Sequence, residues 1–156
     1  MFFGGKNTKK NGETTLFSSK IYNFALFLNI LLNIMETGLS HTSRLTVDNT
    51  NTAIALGSGD MPVLATPAMM ALMENAAMLA VKDSLPEGST TVGGHIESSH
   101  LKPTPLGQEV TATAELTKVD GRKLFFKVSA HQGETLLGEG THLRFIVDRE
   151  KFLSRL

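Results

Sequence analysis

The chain has no cysteine, no excess of either charge sign and no apolar run long enough to span a bilayer comfortably. Lacking cysteine, it has no disulfides, thiolate metal sites or cysteine nucleophiles, and a reducing, cytoplasmic setting is the expectation. Lys plus Arg and Asp plus Glu both total 15, so no broad basic field draws the chain to nucleic acid. The apolar stretch from Ile21 to Ile34 is shorter than the roughly 20 residues of a spanning helix and contains Asn23, Asn29 and Asn33, so no stable membrane insertion is expected. Gly57-Ser58-Gly59 has neither the preceding strand nor the Lys-Ser/Thr ending of a phosphate-binding loop and reads as a connector. The catalytic inventory is therefore Ser, Thr, His, Asp and Glu, with no metal or cofactor expected.

What is present suits one globular domain: 156 residues, 41% of them apolar, with 14 glycines. The segment before Met35 differs from the rest. Lys6, Lys9, Lys10 and Lys20 dot a polar stretch ahead of the apolar run, as in a secretory signal, but no small-residue cleavage site follows. The readings are a poor export signal, an amphipathic arm, or an extension ahead of a natural start at Met35. The last is preferred, so 1–34 is taken as an N-terminal extension and 35–156 as the domain.

The domain is organised around residues 63–81. From Pro67 to Val81 every residue is Ala, Met, Leu or Val except Pro67 itself, Glu74 and Asn75, which predicts a helix buried on all sides. Thr66 is the expected N-cap and Pro67 the first helical residue, where its missing N–H costs nothing. A carboxylate in such a helix needs a partner or a function, unless Glu74 and Asn75 form a small solvent-facing stripe.

One strand is expected at Arg44 to Asn49 and another at Thr90 to Leu101. Beyond Gly107 the pattern has period two. Val110, Ala112, Ala114 and Leu116 mark one face of a strand, Leu124, Phe126, Val128 and Ala130 the next, and Leu137, Leu143, Phe145 and Val147 a third. Gly138, His142, Arg144 and Asp148 alternate with this last set. Asp120-Gly121 and Gln132-Gly133 suit hairpins, so the strands form an antiparallel meander. One buried helix followed by a meander predicts an α+β arrangement, with the sheet wrapped around the helix and its edges covered by a second copy.

The strand at 90–101 carries a second chemical cluster. Parity places His100 with Ile96 and Val92, facing the helix, and His95 on the other side. Gly93-Gly94 allows a close approach by a ligand or another backbone, or forms a bulge.

These residues carry a family resemblance. Val63-Leu64-Ala65-Thr66-Pro67 with Glu74, then Gly93, His100 and Pro103-Thr104-Pro105-Leu106-Gly107, then Gly140-Thr141-His142-Leu143-Arg144 and Glu150-Lys151-Phe152, resembles the fluoroacetyl-CoA thioesterase-like branch of the hotdog-fold thioesterases. The likeness runs from about Leu64 to Phe152. It implies a hotdog fold, with a long central helix wrapped by a curved antiparallel sheet, paired as a homodimer or dimer of dimers. It also implies an acyl-CoA substrate, catalytic Thr66, Glu74 and His100, and substrate contacts at Gly93 and Arg144. One departure is that Gly57-Ser58-Gly59-Asp60-Met61-Pro62, where the fluoroacetyl-specific member has an aromatic lid, contains no aromatic residue, so fluoroacetyl selectivity is not expected.

A thioester has an electrophilic carbonyl and a good leaving group, so its hydrolysis needs a nucleophile and oxyanion donors more than acid assistance. Glu74 suits a general base or a carboxylate nucleophile, His100 a proton-transfer group, Thr66 a donor to substrate or water, and the Gly93 N–H an oxyanion contact. Arg122, Lys123 and Lys102 are candidate contacts for the anionic part of CoA. Two other classes remain open. One is a non-catalytic acyl-CoA-binding module, although the sequence shows no helix-turn-helix of the kind acyl-CoA-sensing repressors carry. The other is an enoyl-CoA hydratase, for which an Asp and His pair would be expected.

Overall fold

The computed structural model of the protein describes Leu26 and residues 35–156. Apart from Leu26, the expectations for residues 1–34 lie outside the described residues. The chain divides at the same point, into Met1–Ile34 and Met35–Leu156. In the second unit the order is β1 (Ser40–Thr46), α1 (Thr66–Val81), a 3-10 turn (Lys82–Ser84), β2 (Ser89–Ser98), β3 (Glu109–Asp120), β4 (Lys123–Gln132), β5 (Thr135–Asp148) and α2 (Arg149–Leu153). Five strands form one antiparallel sheet in the order β1-β3-β4-β5-β2, so β1 and β2 are its edges. Among the described residues no helix is long and apolar enough to cross a membrane.

The meander follows from its turns. Asp120 pairs with Lys123 and Gln132 with Thr135, leaving two-residue loops that open on Gly121 and Gly133, both at positive φ. Glycine first in a two-residue loop gives the turn whose twist matches the flanking strands. Val110, Ala112, Ala114 and Leu116 of β3, and Leu124, Phe126, Val128 and Ala130 of β4, are all buried, as the alternation predicts. Against them lie Met69, Met73, Ala76 and Ala77 of α1, each fully buried. The alanines let the helix approach the sheet, and a buried methionine contributes about 1.5–3 kcal/mol.

Four local expectations change. First, α1 is not buried all round. Pro67, Ala71 and Asn75 are exposed, and Met70, Glu74 and Met78 are half-buried. At 100° per residue, Pro67, Met70, Ala71, Glu74 and Met78 form one stripe, which this chain leaves open. Second, the N-cap of α1 is Ala65, with no side-chain cap, and Thr66 is already helical. The Thr66 hydroxyl is used elsewhere. Third, β1 begins at Ser40, earlier than Arg44, because its inward positions include the polar Ser43, whose hydroxyl donates to Asn75 Oδ1 at 2.7 Å. That bond explains Asn75 independently of Glu74.

Fourth, the inner face of the C-terminal half of β5 is polar. His142, Arg144 and Ile146 are buried, while Leu143, Phe145 and Val147 are half-buried on the opposite face. A register shift between Ala130 and His131 leaves Leu137 unpaired, so its parity does not carry along the strand. Gly138 and Gly140 then occupy the inner positions, where a side chain at 138 would meet Met69 and one at 140 the Glu97 carbonyl. Hydropathy cannot mark a face on which Gly138, Gly140, His142 and Arg144 precede the single apolar Ile146.

Candidate active site

A register shift between Gly93 and His95 breaks β2 in the middle. Before it, Thr91 is buried and Gly93 points toward α1; after it, the Ser98 hydroxyl reaches Met73 Sδ at 3.5 Å, so even-numbered positions face inward. Ile96 and His100 therefore share a face as predicted. Val92 does not share it, because the bulge inverts the parity. The two glycines serve opposite faces: a Cβ at Gly93 would stand 2.6 Å from Glu74 Oε1, whereas one at Gly94 would collide with the Phe145 ring.

The candidate residues form two groups on α1. At its start, Thr66 Oγ1 and His100 Nδ1 are hydrogen-bonded at 2.8 Å. The loop bearing Thr66 is fixed by the Leu64 N–H donating to the Thr104 carbonyl and the Ala65 N–H donating to the Asn51 carbonyl. His100 Nε2 is buried and finds no hydrogen-bond partner among the described residues, a condition that costs about 1–3 kcal/mol in an inert site. Such orphaned groups need a functional reason or a missing partner.

The second group lies eight residues further on, about 12 Å along the axis at 1.5 Å per residue. Here Glu74, its side chain 41% exposed, rests over Gly93, with Oε1 3.6 Å from His142 Nε2 and 4.0 Å from Arg144 Nη1. Both basic residues are buried. Arg144 donates from Nε to Thr91 Oγ1 at 2.8 Å and from Nη2 to the Thr91 carbonyl at 2.9 Å. Its Nη1 donates to His142 Nε2 at 3.1 Å and, at a long 3.5 Å, to the backbone carbonyl of Glu74.

His142 is thereby fixed in one tautomer. Its Nδ1–H donates to the His95 carbonyl at 2.7 Å, so Nε2 carries the lone pair that accepts from Arg144. Burial lowers its pKa most; the neighbouring Arg144 charge adds to this, while the His95 carbonyl bond and Glu74 oppose it. Burial likewise lowers that of Arg144, with Glu74 opposing. Burial thus favours the neutral ring at the core of the site.

The structure thus joins Thr66 with His100, and Glu74 with Gly93 and Arg144, but leaves the two groups about two helical turns apart in one chain. His142 was missed by sequence reasoning, which placed it on an outward face. Its signal was parity with Arg144: two basic residues spaced by two on one strand must share a face. Lys102, Arg122 and Lys123 are exposed.

Comparison with known proteins is consistent across sequence and structure. The family model described as fluoroacetyl-CoA-specific thioesterase (FlK) matches residues 47–150. A curated fluoroacetyl-CoA thioesterase from Streptantibioticus cattleyicolor is 43% identical over 94 residues, which are 60% of this chain and 68% of the relative. A mutant of the fluoroacetyl-CoA-specific thioesterase FlK solved with fluoroacetate and CoA is 37% identical, with a TM-score of 0.70 over 76% of this chain and 99% of that one. A hot-dog-like protein from Thermanaerovibrio acidaminovorans, 23% identical, shares the fold at a TM-score of 0.71 over 79% of this chain and 91% of its own.

Proposed function

The chain belongs to the fluoroacetyl-CoA-specific thioesterase family, and from that premise we propose that it hydrolyses a short or medium acyl-CoA to the free acid and CoA. The observation that carries this reading is Glu74. Its carboxylate stands on an open, otherwise apolar helix stripe, over a glycine that leaves it room, with two buried basic side chains behind it. A carboxylate so placed is partly exposed to substrate and not locked in a close ion pair, as a base or nucleophile requires.

Glu74, Thr66 and His100 are the catalytic residues in this reading. Glu74 activates water or attacks the thioester carbonyl; the Thr66 hydroxyl orients substrate or water; and His100, bonded to Thr66 through Nδ1 with Nε2 unpaired among the described residues, handles the proton. The Gly93 N–H is the substrate-binding donor to the developing oxyanion. Arg144, which the resemblance implied as a substrate contact, is read instead as supporting the site from behind Glu74, since burial and its bonds to Thr91 keep it off the surface.

We take residues 35–156 as the thioesterase domain, working in the cytoplasm as a homodimer or dimer of dimers. Support for assembly comes from the apolar stripe of Met70, Ala71 and Met78, left open beside Glu74, and from β2, an edge strand. A second copy on that stripe also supplies a way for one thioester to meet both halves of the site. The connector at 54–61 presents Ile54, Leu56 and Met61 at the surface and no aromatic residue, which favours an aliphatic acyl group over selectivity for fluoroacetyl.

The test is thiol release from a panel of acyl-CoAs of increasing chain length, including fluoroacetyl-CoA, alongside the absorbance change of enoyl-CoA. Release above the enzyme-free rate with one or more saturated acyl-CoAs is the expected result. Binding without release would favour a non-catalytic module, and loss of enoyl absorbance without release would favour a hydratase.

A further inference from the structure

We infer that His142 is a positioning residue that holds Arg144 close to Glu74 but off its carboxylate, by serving as the acceptor the guanidinium would otherwise find on Glu74. This deepens the proposed function and rests on the reading of Glu74 as base or nucleophile.

An arginine beside a carboxylate ordinarily pairs with it directly. Guanidinium and carboxylate match geometrically and form short, paired hydrogen bonds. Here they do not, although Nη1 and Oε1 are only 4.0 Å apart. The other acceptors explain why. Thr91 takes Nε and one Nη2 proton, and the two Nη1 protons are directed to His142 Nε2 and the Glu74 backbone carbonyl.

Of these acceptors, His142 Nε2 is the side-chain group that competes for Nη1. It can do so only as the Nδ1–H tautomer, which the His95 carbonyl enforces at the β2 bulge. His142 is 2% exposed and the Arg144 side chain 8%, so water does not readily take the ring's place as acceptor. The same bulge brings Gly93 beneath Glu74, so one irregularity in β2 both makes room for the carboxylate and fixes the ring behind it. The titratable groups around this network are Glu74 on α1, His95 on β2, and His142 and Arg144 on β5.

Removing the acceptor while keeping an apolar ring releases Nη1 to pair with Glu74 Oε1. The carboxylate is then quenched as a base. His142→Phe is expected to lower kcat by about 10-fold or more with KM changed less than about twofold, and to move the acid limb of the kcat/KM profile to lower pH. His142→Gln, which returns a neutral acceptor, is expected to restore most of kcat and the original limb. Thr91→Val removes another Arg144 acceptor and is expected to move the limb in the same direction.

The experiment measures pH–rate profiles and thermal melts for the unsubstituted protein, Glu74→Gln, His142→Phe, His142→Gln and Thr91→Val, using the best acyl-CoA of the panel. If Glu74→Gln is as active as the unsubstituted protein, the underlying reading fails, and this inference fails with it. If Glu74→Gln is inactive and folded His142→Phe behaves like the unsubstituted protein, only the inference is overturned. Equal losses in His142→Phe and His142→Gln with an unmoved limb also overturn it, since that is how a merely structural residue behaves. Should His142→Phe not fold, an unmoved limb in Thr91→Val overturns it.

Discussion

The carboxylate of Glu74 occupies the space in which a side chain at Gly93 would begin, its Oε1 lying 2.6 Å from where that Cβ would stand. Residues on a helix and an edge strand are thus matched by the absence of one methyl group. Glu74 stays over the strand because nothing projects from position 93.

Gly93→Ala follows directly. The added methyl cannot coexist with Oε1 in place, so the carboxylate must turn away from His142 and Arg144. Since the clash is with the end of a flexible, partly exposed side chain, a thermal melt is expected to show little loss of stability. Turnover is expected to fall by about 10-fold or more. A fully active Gly93→Ala protein would show that the position of Glu74 does not matter.

At the other end of the site, the Thr66 hydroxyl and the His100 ring act as a pair. Thr66→Val keeps the shape and removes the hydroxyl, whereas Thr66→Ser keeps the hydroxyl. Steady-state kinetics should therefore rank Thr66→Ser well above Thr66→Val, with His100→Ala also slowed. If Val and Ser behave alike, the 2.8 Å contact has no part in turnover.

His142 gives the fold a sensitivity to acid. Its pKa is lowered in the folded chain, mainly by burial, whereas in the unfolded chain it titrates near the ordinary value of about 6.5. Below that value the unfolded chain binds a proton that the folded chain resists, so this contribution is full above about pH 6.5 and is lost as pH falls toward the lowered folded value. Melting temperatures measured from about pH 7.5 to about pH 5.5 should drop more steeply for the unsubstituted protein than for His142→Gln. Parallel curves would remove His142 from the account of acid stability.

Assembly is tested by light scattering at micromolar concentration, where at least a dimer is expected. The exposed stripe supplies a sharper check. Ala71 is exposed in its middle, so Ala71→Glu should dissociate the dimer without unfolding the chain. A stable, active monomer would contradict the proposal.

Much of this arrangement was legible in the sequence where a residue's chemistry agreed with its surroundings. β3 and β4 show clean alternation, and their hairpins carry glycine where positive φ is needed. The helix was visible from its run of Ala, Met and Leu, and Glu74 from being charged within it. What escaped was polar and inward-facing. Ser43 shortened the apparent β1, while His142 and Arg144 made an inner face look outward. The paired glycines did raise a bulge at Gly93-Gly94, and the register shifts there, but its inversion of parity, like that at Leu137, leaves no hydropathy signal. Thr66 looked like a cap because a short hydroxyl side chain before a proline is a cap signal, whereas its hydroxyl bonds to His100, far away in sequence. That α1 has an open side was hidden because Met70, Ala71 and Met78 are as apolar as its core positions.

The central claim is that Glu74 performs the chemistry of acyl-CoA hydrolysis, and Glu74→Gln tests it most directly. Glutamine keeps the shape and most hydrogen bonding but lacks the charge. Thiol release from the best acyl-CoA is predicted to fall by roughly 10²-fold or more, with an unchanged melt. A folded Glu74→Gln protein hydrolysing that substrate at the unsubstituted rate would contradict the account.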